Sequence, residues 1–429
     1  MSGGDRIDPA PSARNPSGAR GTVAALALGY VGVYLCRKNL AVAVPLLGRA
    51  FTASRGEIGR VASIGTAAYA LGKLTLGPLI DRVGGRAGFL AVLLAVALFG
   101  GVSALAPSLV WLTVAYSANR YAGAGGWPAI MKLVPTWFGS GRQATVVAVL
   151  SLSYVAGGVA ATLLARQVLA EGGGWRAVMG VPSLALLAIG VVCVFAVRAG
   201  PLAAGRSVAA PDRGGRQPND QEVGPSIARG PEIVRAPWRV LLSRPQFLVV
   251  CALSFALTLM RESFNTWSVD FLVSIQRAAA RSVSVAALQS TTFDLAGGLG
   301  ILIMGASYDR TPARVRRWLI AGILGSLALV LALLPWAAAR KPASAIWLVG
   351  AVGLLVYGPY SLLAGVFAVE SGGAAAAATA SAIIDACGYL AGILAGEALG
   401  RVLDRGGYPL GFACLAAITA LSALLACLL

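Results

Sequence analysis

Apolar runs of about twenty residues, broken by short polar stretches, recur along almost the whole chain. A bilayer-spanning helix needs about 20 consecutive apolar residues. Twelve such runs appear. The first six lie at 22–47, 57–80, 88–107, 109–134, 143–166 and 176–198. The second six lie at 246–275, 283–308, 318–338, 345–370, 375–400 and 408–429. Between the two sets, Ala199 to Arg244 is polar and rich in Pro, Gly and Arg, the composition of a flexible linker. The pattern predicts an all-α membrane protein of twelve transmembrane helices in two six-helix bundles. The expected parts are a disordered cytoplasmic tail at 1–21, bundles at 22–198 and 246–429, and a cytoplasmic linker at 199–245.

Two arginines interrupt this pattern. Arg37 lies inside the first run and Arg261 inside the seventh. A charge at the bilayer centre costs from roughly 3 to more than 10 kcal/mol, so such residues face a cavity and meet an opposite charge. Two of them at matching places in the two halves imply one anion held between the halves.

Composition agrees with a polytopic protein. The 429 residues are 57% hydrophobic and 12% charged, against about 25% charged in soluble domains. The net charge of +18 does not indicate nucleic-acid binding. The basic residues fall mainly in short loops and no zinc-finger, basic-helix or stacking module accompanies them. Arg82, Arg86, Arg142, Arg310, Arg314, Arg316 and Arg317 mark the cytoplasmic side. Arg49, Arg55, Arg277 and Arg281 on the other side make the bias moderate. Both termini are therefore expected in the cytoplasm. The six cysteines lie in apolar runs without a CxxC pair, and there is no histidine. Neither metal ligands nor a cofactor is expected. Gly72-Lys73-Leu-Thr75 lacks the upstream glycine of a phosphate-binding loop, because position 67 is Ala. No nucleophile–base constellation is visible, so an enzyme is not expected.

The two halves repeat in sequence. The second run ends Gly77-Pro-Leu-Ile-Asp81-Arg82-Val-Gly84-Gly85-Arg86, and the eighth ends Gly305-Ala-Ser-Tyr-Asp309-Arg310. The offset between Asp81 and Asp309 is similar to that between Arg37 and Arg261, as a parallel duplication of six helices would give. The first of these loops resembles the conformational loop motif of the major facilitator superfamily, carried here by Gly77, Asp81, Arg82, Gly85 and Arg86, with Asp309 and Arg310 as its second copy.

A narrower resemblance, covering most of the chain, is to the organophosphate:phosphate antiporters, which include the glycerol-3-phosphate and hexose-6-phosphate carriers. It rests on Tyr34-Leu-Cys-Arg37-Lys38-Asn39, on Tyr69 to Lys73, and on Gly126-Trp127-Pro128 with Trp137-Phe138. It rests further on Tyr154 with Gly157-Gly158, Arg261 to Trp267, Asp294, Tyr357-Gly358-Pro359 and Gly388-Tyr389. The resemblance implies a phosphate gripped by Arg37 and Arg261, with Lys73 beside it. Guanidinium chemistry suits that role, since the planar fork donates to two oxygens and stays charged when desolvated.

The chain also departs from that family. Tyr154 stands where the glycerol-phosphate carriers have a histidine. Thr258 replaces a tyrosine, and Thr266 replaces an acid expected to form a bridge. Arg120 and Lys132 are extra cations, with Lys132 near enough to the cytoplasmic end to snorkel. Asp385 is an acid those carriers do not place there. Arg261 and Glu262, adjacent on a helix, project differently and need not pair with each other. The expected substrate-binding set is Arg37, Arg261, Lys73, Tyr154, Tyr389, Arg120 and Tyr69. Lys38, Glu262, Asp294 and Asp385 are candidates for salt bridges or proton coupling.

Taken together, the residues and the resemblance imply a secondary transporter of a sugar phosphate, glycerol phosphate or phosphorylated acid, exchanging it for inorganic phosphate by alternating access. A sugar-phosphate sensor of the same fold and a proton-coupled carrier of another organic anion are the alternatives. A monomer in a bacterial inner membrane is expected.

Overall fold

The computed structural model describes residues 16–138, 140–200, 237–276 and 281–429, all helical apart from short turns. In chain order the helices are α1 (Pro16–Leu35), α2 (Asn39–Ala50), α3 (Arg55–Val83), α4 (Gly85–Ala104), α5 (Leu109–Gly123), α6 (Gly126–Trp137) and α7 (Ser140–Ala170). They continue as α8 (Trp175–Ala196), α9 (Pro237–Leu242), α10 (Pro245–Ile275), α11 (Arg281–Arg310), α12 (Ala313–Arg340), α13 (Pro342–Leu362) and α14 (Ala368–Ala426). A short π-helical stretch, Leu363–Phe367, joins the last two.

Among the described residues, nine helical stretches are long and apolar enough to cross a membrane. The number falls three short of the twelve expected spans for identifiable reasons. The second, α3, carries Arg55, Glu57, Arg60, Lys73, Asp81 and Arg82 within its length, which dilutes its hydropathy. The fourth is divided into α5 and α6 at Ala124 and Gly125. The eleventh and twelfth run together as the 59 residues of α14. A straight helix of that length would be about 88 Å long, nearly three hydrocarbon thicknesses. Gly407 resolves this, because its φ of 65° cannot continue a right-handed helix. Ala395 and Tyr408, on either side of the turn, both bond to Trp267, so the chain doubles back there.

The first span is broken too. Its pattern predicts one helix over 22–47, yet α1 stops at Leu35 and α2 starts at Asn39. The turn is tightened by Cys36 N–H to Val33 O and Arg37 N–H to Tyr34 O, at 3.2 and 3.1 Å. Helix α1 begins at Pro16, inside the stretch expected as tail, and α9 falls inside the stretch expected as linker. Both start on a proline, whose fixed φ and missing N–H suit a first helical position. The rest of the expected tail (1–15) and linker (201–236) lies outside the described residues.

Two apolar clusters show how the helices associate. One draws only on the first six spans, around Leu26, Phe89, Leu93, Ile130 and Leu186. The other fills the last six spans and also takes in Leu47, Ile58, Leu112, Val168 and Val178. Those five lie at one end of the first six spans, which is therefore the end where the two sets adhere. Outward rows such as Leu98, Val191, Leu302 and Trp347 stay exposed, as lipid-facing positions do.

Without a hydrophobic drive between helices in lipid, small residues set how closely they pack. Helices α11 and α13 cross at Gly297, Gly300 and Gly353. A Cβ on Gly353 would lie 2.8 Å from the carbonyl carbon of Phe293. Gly353→Leu should therefore overpack this crossing, costing at least about 1–3 kcal/mol. Thermal unfolding in detergent should show a melting point several degrees lower, while Gly322→Leu, where a Cβ meets open space, should leave it unchanged.

Candidate functional site

The break between α1 and α2 puts Arg37 and Lys38 at a helix discontinuity in the middle of the first span. Gly157 of α7 lets that helix pack directly on Tyr34, since a Cβ there would lie 2.9 Å from Val31 O. Arg37 donates from Nη1 to the Tyr34 hydroxyl at 3.2 Å. Its guanidinium lies 5.1 Å from the centre of the Tyr69 ring, presented by α3.

These residues open onto a cavity of ≈ 720 Å³ between the first six spans and the last six. All seven residues expected to bind substrate line it: Arg37, Tyr69, Lys73, Arg120, Tyr154, Arg261 and Tyr389. So do Lys38, Glu262, Asp294 and Asp385. Among the described residues, the cavity thus gathers five cations and three carboxylates that the sequence spreads from the end of α1 to α14.

The charges sort into two groups. Lys38 pairs with Asp294 of α11, and the other oxygen of that carboxylate accepts from the Tyr357 hydroxyl at 3.2 Å. Arg261 pairs with Glu262, Nη2 to Oε1, at 2.7 Å. Adjacent helical residues need not pair, and these two do. Both side chains are long enough to curl toward one cavity, where the alternative is two unpaired charges. Arg261 also lies over the Tyr360 ring at 4.2 Å. Arg37, Lys73 and Arg120 form the second group. Among the described residues no carboxylate lies within 4.0 Å of any of them. All three instead surround the Tyr69 ring, at 5.1, 5.7 and 4.7 Å from its centre. Such cation–π contacts contribute about 0.5–2 kcal/mol each, less than a buried charge loses on leaving water.

Tyr34, Tyr116, Tyr357 and Tyr360 also line the cavity, although none belongs to the expected binding set. The available signal was tyrosine one turn apart inside an apolar run, as in Tyr357 and Tyr360.

At one end the cavity is shut. Helices α3 and α14 cross there backbone to backbone, through Gly56 and Gly59 on one and Gly396 and Gly400 on the other. Ser63 Oγ donates to Ile393 O at 2.5 Å and accepts from Glu397 N–H at 2.8 Å. Asp404 caps α3 from the opposite set of helices, accepting from the backbone N–H of Arg55 and Gly56 at 3.0 and 2.8 Å. A carboxylate is favoured at a helix N-terminus by free N–H groups and the helix dipole. Arg55 Nε donates to Asp270 at 2.7 Å, and Arg60 and Arg401 both reach Glu397.

The other end carries the loop motif, and the polar contacts of that motif stay within each set of six. Gly84, with φ 90°, makes the turn, rather than Gly77 or Gly85. Gly85 lets α4 approach α6, and Gly77 meets open space. Asp81 pairs with Lys132 at 2.8 Å, so Lys132 is bridged rather than merely snorkelling. Arg86 donates to the carbonyls of Val197 and Val194 at 2.8 and 2.9 Å, tying α4 to the end of α8. Arg82 and Arg310 lie at the ends of α3 and α11. The side chain of Asp309 lies outside the described residues. In the second copy it is Tyr308 and Arg316 that meet Glu370. Among the described residues, no group of three or more Cys, Asp or Glu side chains is placed to hold a metal.

Comparison with known proteins matches this arrangement at two levels. The chain is 26% identical over 93% of its length, and 88% of the other protein, to a probable hexose phosphate transport protein of Chlamydia pneumoniae. It is 25% identical over 93% of its length, and 89% of the other, to the membrane sensor protein UhpC of Escherichia coli K12. In fold it is similar to a bacterial homologue of the human lysosomal transporter Spinster in an inward-facing, occupied conformation. The TM-score there is 0.74, at 15% identity over 95% of both chains. The family model described as Major Facilitator Superfamily matches residues 26–396. With twelve spans, a duplicated loop motif and a central polar cavity, the chain belongs to the Major Facilitator Superfamily, a family of membrane transporters.

Proposed function

We propose that this transporter carries an organic phosphate ester across the membrane in exchange for inorganic phosphate. The observation that carries the reading is the cavity's charge. Five cations face three carboxylates, a surplus of two positive charges that a phosphate dianion would neutralise. Arg37 and Arg261 come from opposite sets of helices, so an anion between them draws the two sets together. The identity to a hexose phosphate transport protein supports the same substrate class.

The mechanism depends on which contacts span the two sets. The closed end is held by Gly59 on Gly396, Asp404 on α3 and Arg55 on Asp270. With the basic loops in the cytoplasm, the open end faces inward. The anion enters there, is gripped by Arg37 and Arg261, and closes that end while the opposite contacts part. An empty cavity with surplus positive charge crosses poorly, which makes the exchange obligate.

The test is radiolabelled phosphate uptake into liposomes containing the purified protein. Uptake should require unlabelled phosphate inside. Uptake into empty liposomes driven by a pH gradient would instead assign a proton-coupled carrier, with Asp385 as the cavity carboxylate that is in no ion pair among the described residues. A protein that binds phosphate esters but exchanges nothing would be a sensor, like the relative UhpC by its name.

A further inference from the structure

Arg120 is difficult to account for by packing. It sits in α5 only 7% exposed, and its Nε is buried without a hydrogen-bond partner among the described residues. No carboxylate among the described residues lies within ion-pair distance. Of the three cavity carboxylates, Glu262 bonds Arg261 and Asp294 bonds Lys38, while Asp385 is in no ion pair within 4.0 Å among the described residues. A buried cation left uncompensated costs several kcal/mol. Its room is made by Gly65 on α3, where a Cβ would lie 3.3 Å from Arg120 Cγ and 2.6 Å from the Tyr116 ring. Arg120 lies in the last turn of α5, where the fourth span divides, so it stands within the span and not at the loop end where a topology-setting charge belongs.

The position of Arg120 gives it a partner class. With Lys73 and Arg37 it lies around the ring of Tyr69. Arg37 is the residue the proposed phosphate grip already uses, so Arg120 and Lys73 lie just beyond that grip, along the wall of the cavity. A phosphate ester whose remainder is uncharged leaves both without an ion-pair partner within 4.0 Å among the described residues. We infer that Arg120, with Lys73, forms a second anion subsite, and that the substrate is a small organic phosphate bearing a second anionic group, a carboxylate or another phosphate. This rests on the proposed phosphate grip and narrows it. The carboxylate of Asp385, in no ion pair among the described residues, also lines this cavity, so a substrate carrying three negative charges is best bound with one proton, on its phosphate or on Asp385.

Competition against radiolabelled phosphate exchange tests the subsite. The unlabelled competitors are glycerol 3-phosphate, 3-phosphoglycerate and glycerol 1,3-bisphosphate, which share a three-carbon frame and differ in the second group. One charge-assisted hydrogen bond is worth about tenfold or more in affinity. At least one of the two doubly anionic esters should therefore inhibit at about one tenth the concentration of glycerol 3-phosphate. In Arg120→Gln the ratio of the two half-inhibition concentrations should fall to about one, and Arg120→Lys should restore part of it. Reading the ratio removes any change in overall rate. Equal inhibition by all three esters in the unmodified protein would overturn the subsite while leaving the phosphate grip intact, and needs no variant to fold. A preference that survives Arg120→Gln would overturn the assignment to Arg120. Absence of any phosphate exchange would overturn the proposed function itself.

Discussion

Arg37→Lys and Arg261→Lys should each lower phosphate exchange by about tenfold to 100-fold. The charge is kept in both variants, so a loss reports geometry. A guanidinium presents parallel N–H donors that match two phosphate oxygens, and an ammonium presents a point charge on a flexible stem. Losing one charge-assisted hydrogen bond at about 1.5–3 kcal/mol gives this range. The two positions should not respond equally. Glu262 holds Arg261 in place at 2.7 Å and can hold a lysine there. Arg37 has no acid among the described residues within ion-pair distance, only the Tyr34 hydroxyl at 3.2 Å and the Tyr34 and Tyr69 rings. Arg37→Lys should therefore be the more damaging. Initial rates of exchange in liposomes, normalised to inserted protein, decide it. Near-normal exchange by both variants would remove the two arginines from the phosphate grip.

A leucine at Gly396 should abolish transport, a loss of about 100-fold or more, while the protein still binds phosphate esters. At the closed end the crossing of α3 and α14 leaves no space for a side chain. A Cβ on Gly396 would press on Gly59 O and Ser63 Oγ, and lie 2.9 Å from Ser63 N. The obstacle is largely backbone, which cannot swing aside as a flexible side chain can. The wedge prevents this end from closing, so the variant accumulates in the state open on that side. Spin labels at Thr52 and Arg405, exposed on the two partners of the closed end, should report a longer separation than in the parent protein. An unchanged separation with normal exchange would mean that α3 and α14 are not the moving contact. The polar latch should tolerate change better. Asp404 caps α3 through two N–H groups, an interaction of about 1 kcal/mol, and neighbouring pairs from Arg55 and Arg60 share the closure.

The glycines at this crossing were visible in the sequence, because Gly392, Gly396 and Gly400 recur every four residues on one helix face. What the spacing could not supply was the partner. A small-residue stripe in a membrane helix fits any helix with a matching groove, and α3 was one of several.

Much of this protein was determined by its sequence alone. The bilayer admits only helices with satisfied backbones, so twelve apolar runs translate directly into twelve spans. The cost of charge in hydrocarbon made Arg37 and Arg261 conspicuous before any fold was known. The repeat of Asp81-Arg82 as Asp309-Arg310, at an offset like that of the two arginines, placed them in equivalent positions. Tertiary structure decided which charges answer which. Glu262 is one residue from Arg261 and pairs with it, while Lys38 and Asp294 are 256 residues apart and pair as well. Sequence separation and helical projection say little here, since long side chains reorganise around a shared cavity to avoid an uncompensated charge. Tertiary structure also turned the first and fourth runs into broken helices and left Arg37, Lys73 and Arg120 together on Tyr69 without an acid among the described residues. That clustering depends on the packing of α1, α3 and α5, which Gly65 and Gly72 permit by bringing α5 against α3. Periodicity identifies which face of each helix is polar, and only the packed bundle determines which polar faces meet.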